Sequence, residues 1–250
     1  MSLLTSAATK RKNARPLPQD RAWEKAGVST KTQPKISDFI LWQLADSAFP
    51  IGGFAHSLGL EAAWQHGEVR NRTELVSFIE AGLHQLGHAA LPFVTAAFDE
   101  PEKLVEFDRL CDAFTTNHVA NRASRAQGRA FLAAVERIFK AESGKQTTEI
   151  KFAHFAPTFG VCLRRLEISR ATTMRMFLFN HLRGVLAAAV RLNIVGPMEA
   201  QILQQRASAK AEEILVRCEF LTLDDLAQTS PLLDLWQGAQ DRLYSRLFQS

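Results

Sequence analysis

The chain has 250 residues, of which 46% are hydrophobic, with seventeen Phe, a single Tyr and a formal net charge of +4. Its longest apolar stretch, "GVLAAAV" at 184–190, is too short to span a bilayer and is bracketed by Arg183 and Arg191, which argues against a membrane protein. The three cysteines, Cys111, Cys162 and Cys218, are odd in number and far apart, which argues against a disulfide framework or a zinc site and fits a reducing cytoplasm.

The charge is unevenly placed. Residues 1–35 hold eight Lys/Arg against two acids, a local +6, and the other 22 basic and 24 acidic residues leave −2. A slightly acidic body argues against a nucleic-acid groove. Residues 1–36, with "KRKNARPLPQDR" and almost no apolar periodicity, read as a disordered basic tail. They show no clear amphipathic face of the kind a transit peptide needs.

From residue 37 the pattern is helical nearly throughout. Ser37 is placed to cap "DFILWQLAD", which runs towards the Pro50–Gly53 breaker. "SLGLEAAWQHG" puts Leu60, Ala63 and Trp64 on one side and stops at Gly67. Thr73 opens a run in which Leu75, Phe78, Ile79, Leu83 and Leu86 recur at three- and four-residue steps, until Pro92 interrupts it. Pro101 begins a long stretch to about Phe139, with Leu104, Phe107, Leu110 and Phe114 as its first stripe. Its second part has Ala and Gly on one face, suited to close helix contact. "ESGKQTT" is a loop, "APTFGVCLRRLEIS" a short helix, and "TTMRMFLFNHLRGVLAAAVRL" is expected to be the central buried helix. Gly196–Pro197 and Ser230–Pro231 mark two further helix starts. The expected fold is an all-α single-domain bundle of roughly eight to ten helices over residues 37–250.

The stretch "DSAFPIGGFAHSLGLE" at 46–61 resembles a functional loop. It lacks the Lys of a phosphate loop and a preceding strand, so neither a P-loop nor a dinucleotide fingerprint fits. A nucleophile elbow fails as well, because His56 and Ser57 are adjacent and point apart on a helix. A tight turn at Pro50, Gly52 and Gly53 that displays His56 and Ser57 remains, with a Ser57–His56–Asp46 catalytic set as the enzymatic alternative. His84 and His88 lie four apart on one helical face, a metal-compatible spacing without the Glu of a zincin and without an evident third ligand. Arg122, Arg125 and Arg129 form a stripe that is either a solvated face or a surface for an acidic partner. The apolar, aromatic and basic end "YSRLFQS" is suited either to docking on its own bundle or to binding another protein.

Four segments in order, "LADSAFPIGGFAHSLGLE", "NHVANRASRAQG", "AVRLNIVGPMEAQ" and "YSRLFQS", resemble the UreF family of urease accessory proteins, and "LNIVGP" is closest to its eukaryotic members. Gln249 stands where many relatives carry Arg. The resemblance covers about residues 38–250 and implies a dimeric, all-helical, non-catalytic protein of the cytoplasm. Such a protein binds the accessory protein UreD (UreH in some organisms) and recruits the GTPase UreG for nickel insertion into apo-urease. By the same resemblance, Tyr244, Ser245, Arg246, Leu247 and Phe248 would contact the UreD-type partner. Pro50, Gly52, Gly53, His56 and Ser57 would lie near the assembly surface or within the dimer. Arg122, Arg125 and Arg129 are available to face the GTPase or an acidic partner. No bound cofactor is expected, nickel being handled transiently by the complex. The alternative is a nickel metallochaperone acting directly through His84 and His88.

Overall fold

The structure, a computed structural model, describes residues 38–140 and 150–250. The Ser37 cap, the basic tail and the "ESGKQTT" loop lie outside the described residues. Within them every regular element is helical: α1 (Asp38–Ala45), α2 (Leu60–Gln65), α3 (Arg72–Ala89), α4 (Leu91–Asp99), α5 (Leu104–Phe114), α6 (His118–Phe139), α7 (Phe155–Arg165), α8 (Arg170–Arg191), α9 (Pro197–Cys218) and α10 (Pro231–Ala239). Short 3₁₀ turns at Gly53–Ala55, Pro101–Lys103, Leu223–Asp225 and Gln240–Arg242 join them.

Local chemistry explains most boundaries. Asn71, two residues ahead of the expected start, caps α3 by accepting the Glu74 amide at 3.1 Å. Pro92 sits in the first turn of α4, where a missing N–H costs nothing, so it separates two helices rather than kinking one. Pro197 and Pro231 start α9 and α10 as their positions indicate. The long stretch from Pro101 is broken at Asn117, whose side chain accepts the Val119 and Ala120 amides and starts α6 anew. On α5 the buried stripe is Leu104, Phe107, Asp108 and Cys111, and Leu110 faces outward.

The centre of the bundle is α7, and α8 is not central in the way its composition suggests. Residues 156–163 of α7 are all buried, and the helix packs on α4, α5, α6 and α8. Small residues allow this approach: a Cβ on Gly160 would fall on the Val94 carbonyl oxygen of α4, and one on Gly128 of α6 on the carbonyl oxygen of Ala153. Phe159 of α7 stacks on Phe131 at 5.1 Å and meets Phe177 of α8 at 5.5 Å, joining three helices through aromatic contacts. Along α8, Arg175 pairs with Glu212 of α9 at 2.7 Å, and Asn180, His181 and Arg183 line a cavity. This polar side keeps α8 from being enclosed all round.

Candidate functional site

Two segments far apart in sequence meet at one end of the bundle. After α1 the chain turns through residues 46–59, with Gly52 and Gly59 at positive φ (69° and 86°), a conformation open to glycine without strain. Gly59 also lies under α10, where a Cβ would stand 3.1 Å from the Gln237 amide nitrogen. The arm, residues 243–250, lies along this turn. The Gln249 amide donates to Ala55 O at 2.8 Å, and the Ser57 amide to Ser250 O at 2.5 Å. His56 Nδ1 pairs with Ser250 Oγ. Phe248 is buried at 4% exposure, whereas Tyr244, Ser245, Arg246 and Leu247 are exposed. Burial, with the charge of Arg122 adding to it, lowers the pKa of His56 below the ordinary value.

Three residues that sequence reasoning missed hold this junction. Glu61 on α2, 1% exposed, accepts the amides of Leu247 at 2.6 Å and Phe248 at 3.2 Å and the Gln240 side-chain nitrogen at 2.5 Å. Arg191, at the end of α8, lies 4.1 Å from the ring centroids of both Phe54 and Phe248 and donates to Phe54 O at 2.6 Å. Asp241 takes both Arg122 nitrogens at 3.1 and 2.9 Å, Arg246 at 3.0 Å and His118 at 3.3 Å. The Arg122 hydrogen bond, foremost among these, holds Asp241 below the usual carboxylate range. Glu61 did carry a signal, as an acid inside the apolar run "LGLEAA".

The arginine stripe is occupied within the chain. Arg122 is committed to Asp241, the Arg125 guanidinium carbon lies 4.9 Å from the Phe152 ring, and Arg129 donates to Phe152 O at 3.2 Å. The Asp46–His56–Ser57 set is not assembled. Asp46 accepts the Ala48 amide at 2.9 Å, His56 pairs with Ser250, and the buried Ser57 hydroxyl has no partner among the described residues. His84 and His88 do share a face, with near-parallel rings 6.5 Å apart, and His88 Nδ1 bonds to His84 O at 3.0 Å. Among the described residues no group of three or more His, Cys, Asp or Glu is placed to hold a metal ion.

A different Ser–His–Asp arrangement is present. Buried His154 connects Asp112 (Nε2 to Oδ1, 3.0 Å) with Ser124 (Nδ1 to Oγ, 3.1 Å). Burial outweighs its acidic neighbours and lowers the His154 pKa, so the neutral ring donates from Nε2 to Asp112 and accepts the Ser124 hydroxyl at Nδ1. Asp112 itself is lowered: burial works against this, and hydrogen bonds from Asn121 and His154 prevail. The Ser124 oxygen also accepts the Phe155 amide at 3.1 Å. His154, the N-cap residue of α7, makes no side-chain cap bond, so Ser124 supplies that bond from α6. The set is a brace at the start of the central helix.

Behind the turn, residues of α3, α6, α8 and α10 line an open cavity of about 320 Å³. Asn180 Oδ1 and His181 Nε2 on its α8 wall are buried without partners among the described residues. Burial lowers the His181 pKa to about 4.

The UreF family model matches residues 69–208, from just before α3 through half of α9. The chain is 36% identical to urease accessory protein F of Oryza sativa over 97% of its own length and 95% of the relative's. It is 39% identical to that of Arabidopsis thaliana over 84% and 91%. A UreF-like urease accessory protein of Schizosaccharomyces pombe shares 31% identity over 83% and 94%. The chain belongs to the UreF family.

Proposed function

We propose that the protein is a non-catalytic accessory protein of urease maturation. It binds a UreD-type (UreH) partner, recruits and regulates the GTPase UreG, and acts in nickel insertion into apo-urease. The observation that carries this reading is the arm. Phe248 anchors it, while Tyr244, Ser245, Arg246 and Leu247 lie on the surface. An aromatic, an arginine and a leucine held on an ordered backbone are suited to protein recognition. The relatives' names, urease accessory protein F, supply the process. In this reading the protein is cytoplasmic and a homodimer, and nickel passes through the complex as cargo. No helix among the described residues is long and apolar enough to cross a membrane.

The 46–57 turn serves as the seat of the arm in this reading and carries no reaction. Arg122 acts by fixing Asp241, which in turn holds Arg246 of the arm. The test is co-expression with UreD- and UreG-type proteins and apo-urease. Deleting residues 244–250 should leave a folded helical protein that no longer captures the UreD-type partner or supports urease activation. Full-strength capture by the truncated chain would show the arm to be the wrong surface. A metallochaperone acting through His84 and His88 is the second reading, favoured by their shared face. Stoichiometric nickel binding in equilibrium dialysis, lost in the His84→Ala/His88→Ala variant, would promote it over the first.

A further inference from the structure

One side chain holds the arm from beneath. Glu61 stands among Leu60, Ala62 and Ala63, all buried and apolar, so packing alone would accept an aliphatic residue there. A carboxylate taken from water is strongly unfavourable unless its oxygens are matched by donors. The three donors that reach Glu61 are uncharged: the amides of Leu247 and Phe248 and the side-chain nitrogen of Gln240. Two of them are successive main-chain groups, so the carboxylate fixes the register and direction of the arm whatever its side chains. Gln240, at the base of the arm, also reaches Phe248 O at 3.4 Å and closes a ring through the carboxylate.

We propose that Glu61 is the positioning residue of the partner-docking arm. By gripping the backbone at 247 and 248 it turns Phe248 inward and presents Tyr244, Arg246 and Leu247 as a preformed surface. This rests on the reading of the arm as the partner-binding segment. A surface already ordered in the free protein loses less conformational entropy on association.

The test uses full-length protein and two readouts, amide hydrogen exchange and capture of a UreD-type partner. Glu61→Gln places an NH₂ group among N–H donors. The amides of 247 and 248 should then exchange at least about tenfold faster while protection in α3–α9 is kept. Capture should weaken by a factor similar to that of the 244–250 deletion. A merely structural Glu61 would instead raise exchange throughout the bundle. Leu247→Pro is the second variant. It removes one gripped amide at an exposed residue and should release the arm even where Glu61→Gln fails to fold. Unprotected amides at 247 and 248 in the wild type, or unchanged exchange in Glu61→Gln, would overturn the proposal. Capture lost on deletion but kept in Glu61→Gln would overturn only the role of Glu61. Capture indifferent to both changes would overturn the partner reading itself.

Discussion

Arg191 stacks on Phe248, with the guanidinium carbon 4.1 Å from the ring centroid. It also donates to the neighbouring Leu247 carbonyl at 3.4 Å, so one planar cation holds both a side chain and the main chain of the arm. Lysine offers charge without the plane or the fork. Arg191→Lys is expected to lower stability by about 1–2 kcal/mol and to loosen the arm, read by urea unfolding and by exchange at residue 248.

Glycine positions should divide sharply. Gly128→Ala and Gly160→Ala each drive a methyl group into a carbonyl oxygen and should destabilise by about 3 kcal/mol, since neither backbone can yield without moving α7. Gly184→Ala is the contrast. Its Cβ would meet only the Leu58 side chain at 3.8 Å, and a helical alanine there should stabilise by about 0.5–1 kcal/mol. Thermal unfolding of the three variants checks the order.

Much of this was legible in the residues. Helix after helix follows from three- and four-residue apolar steps and from proline at first turns, and the family follows from four motifs in order. The boundary at Asn117 was hidden because "TTNH" interrupts no apolar stripe, and the break becomes plain only through the cap bonds. The central place of α7 was hidden for a related reason. Its claim rests on Gly128 and Gly160, and small residues signal close approach without saying to what. At the site, the turn and the arm were each recognisable alone. Their junction was not, since Glu61, Arg191 and Asp241 act through contacts spanning up to 187 positions, and no local pattern encodes those.

Acid should weaken the fold. Burial depresses His181 to about 4 from an ordinary 6.5, so the unfolded chain binds the proton more readily. The stabilisation is complete above pH 6.5 and is lost as pH falls through 6.5 towards 4. Between pH 7 and pH 5 the loss from this residue alone is about 2 kcal/mol. His56 and His154, also depressed by burial, act in the same direction. Urea titrations at the two pH values should show the drop, with a shallower dependence in His181→Leu. A pH-independent midpoint would contradict this account.

The Ser124–His154–Asp112 brace predicts loss of stability and not of a reaction. Ser124→Ala removes the bond to the Phe155 amide and leaves His154 Nδ1 without its donor. Stability should fall by about 1–2 kcal/mol. A fluorophosphonate probe should leave wild-type Ser124 unlabelled, and labelling there would require an enzymatic reading.

Tyr244 is the only tyrosine in the chain and stands fully in solvent at 106% exposure. Nature has thereby placed a single phenol on the arm and nowhere else. Tetranitromethane will therefore modify one tyrosine per molecule, and nitrotyrosine absorbance becomes a direct readout of whether that surface is open or covered.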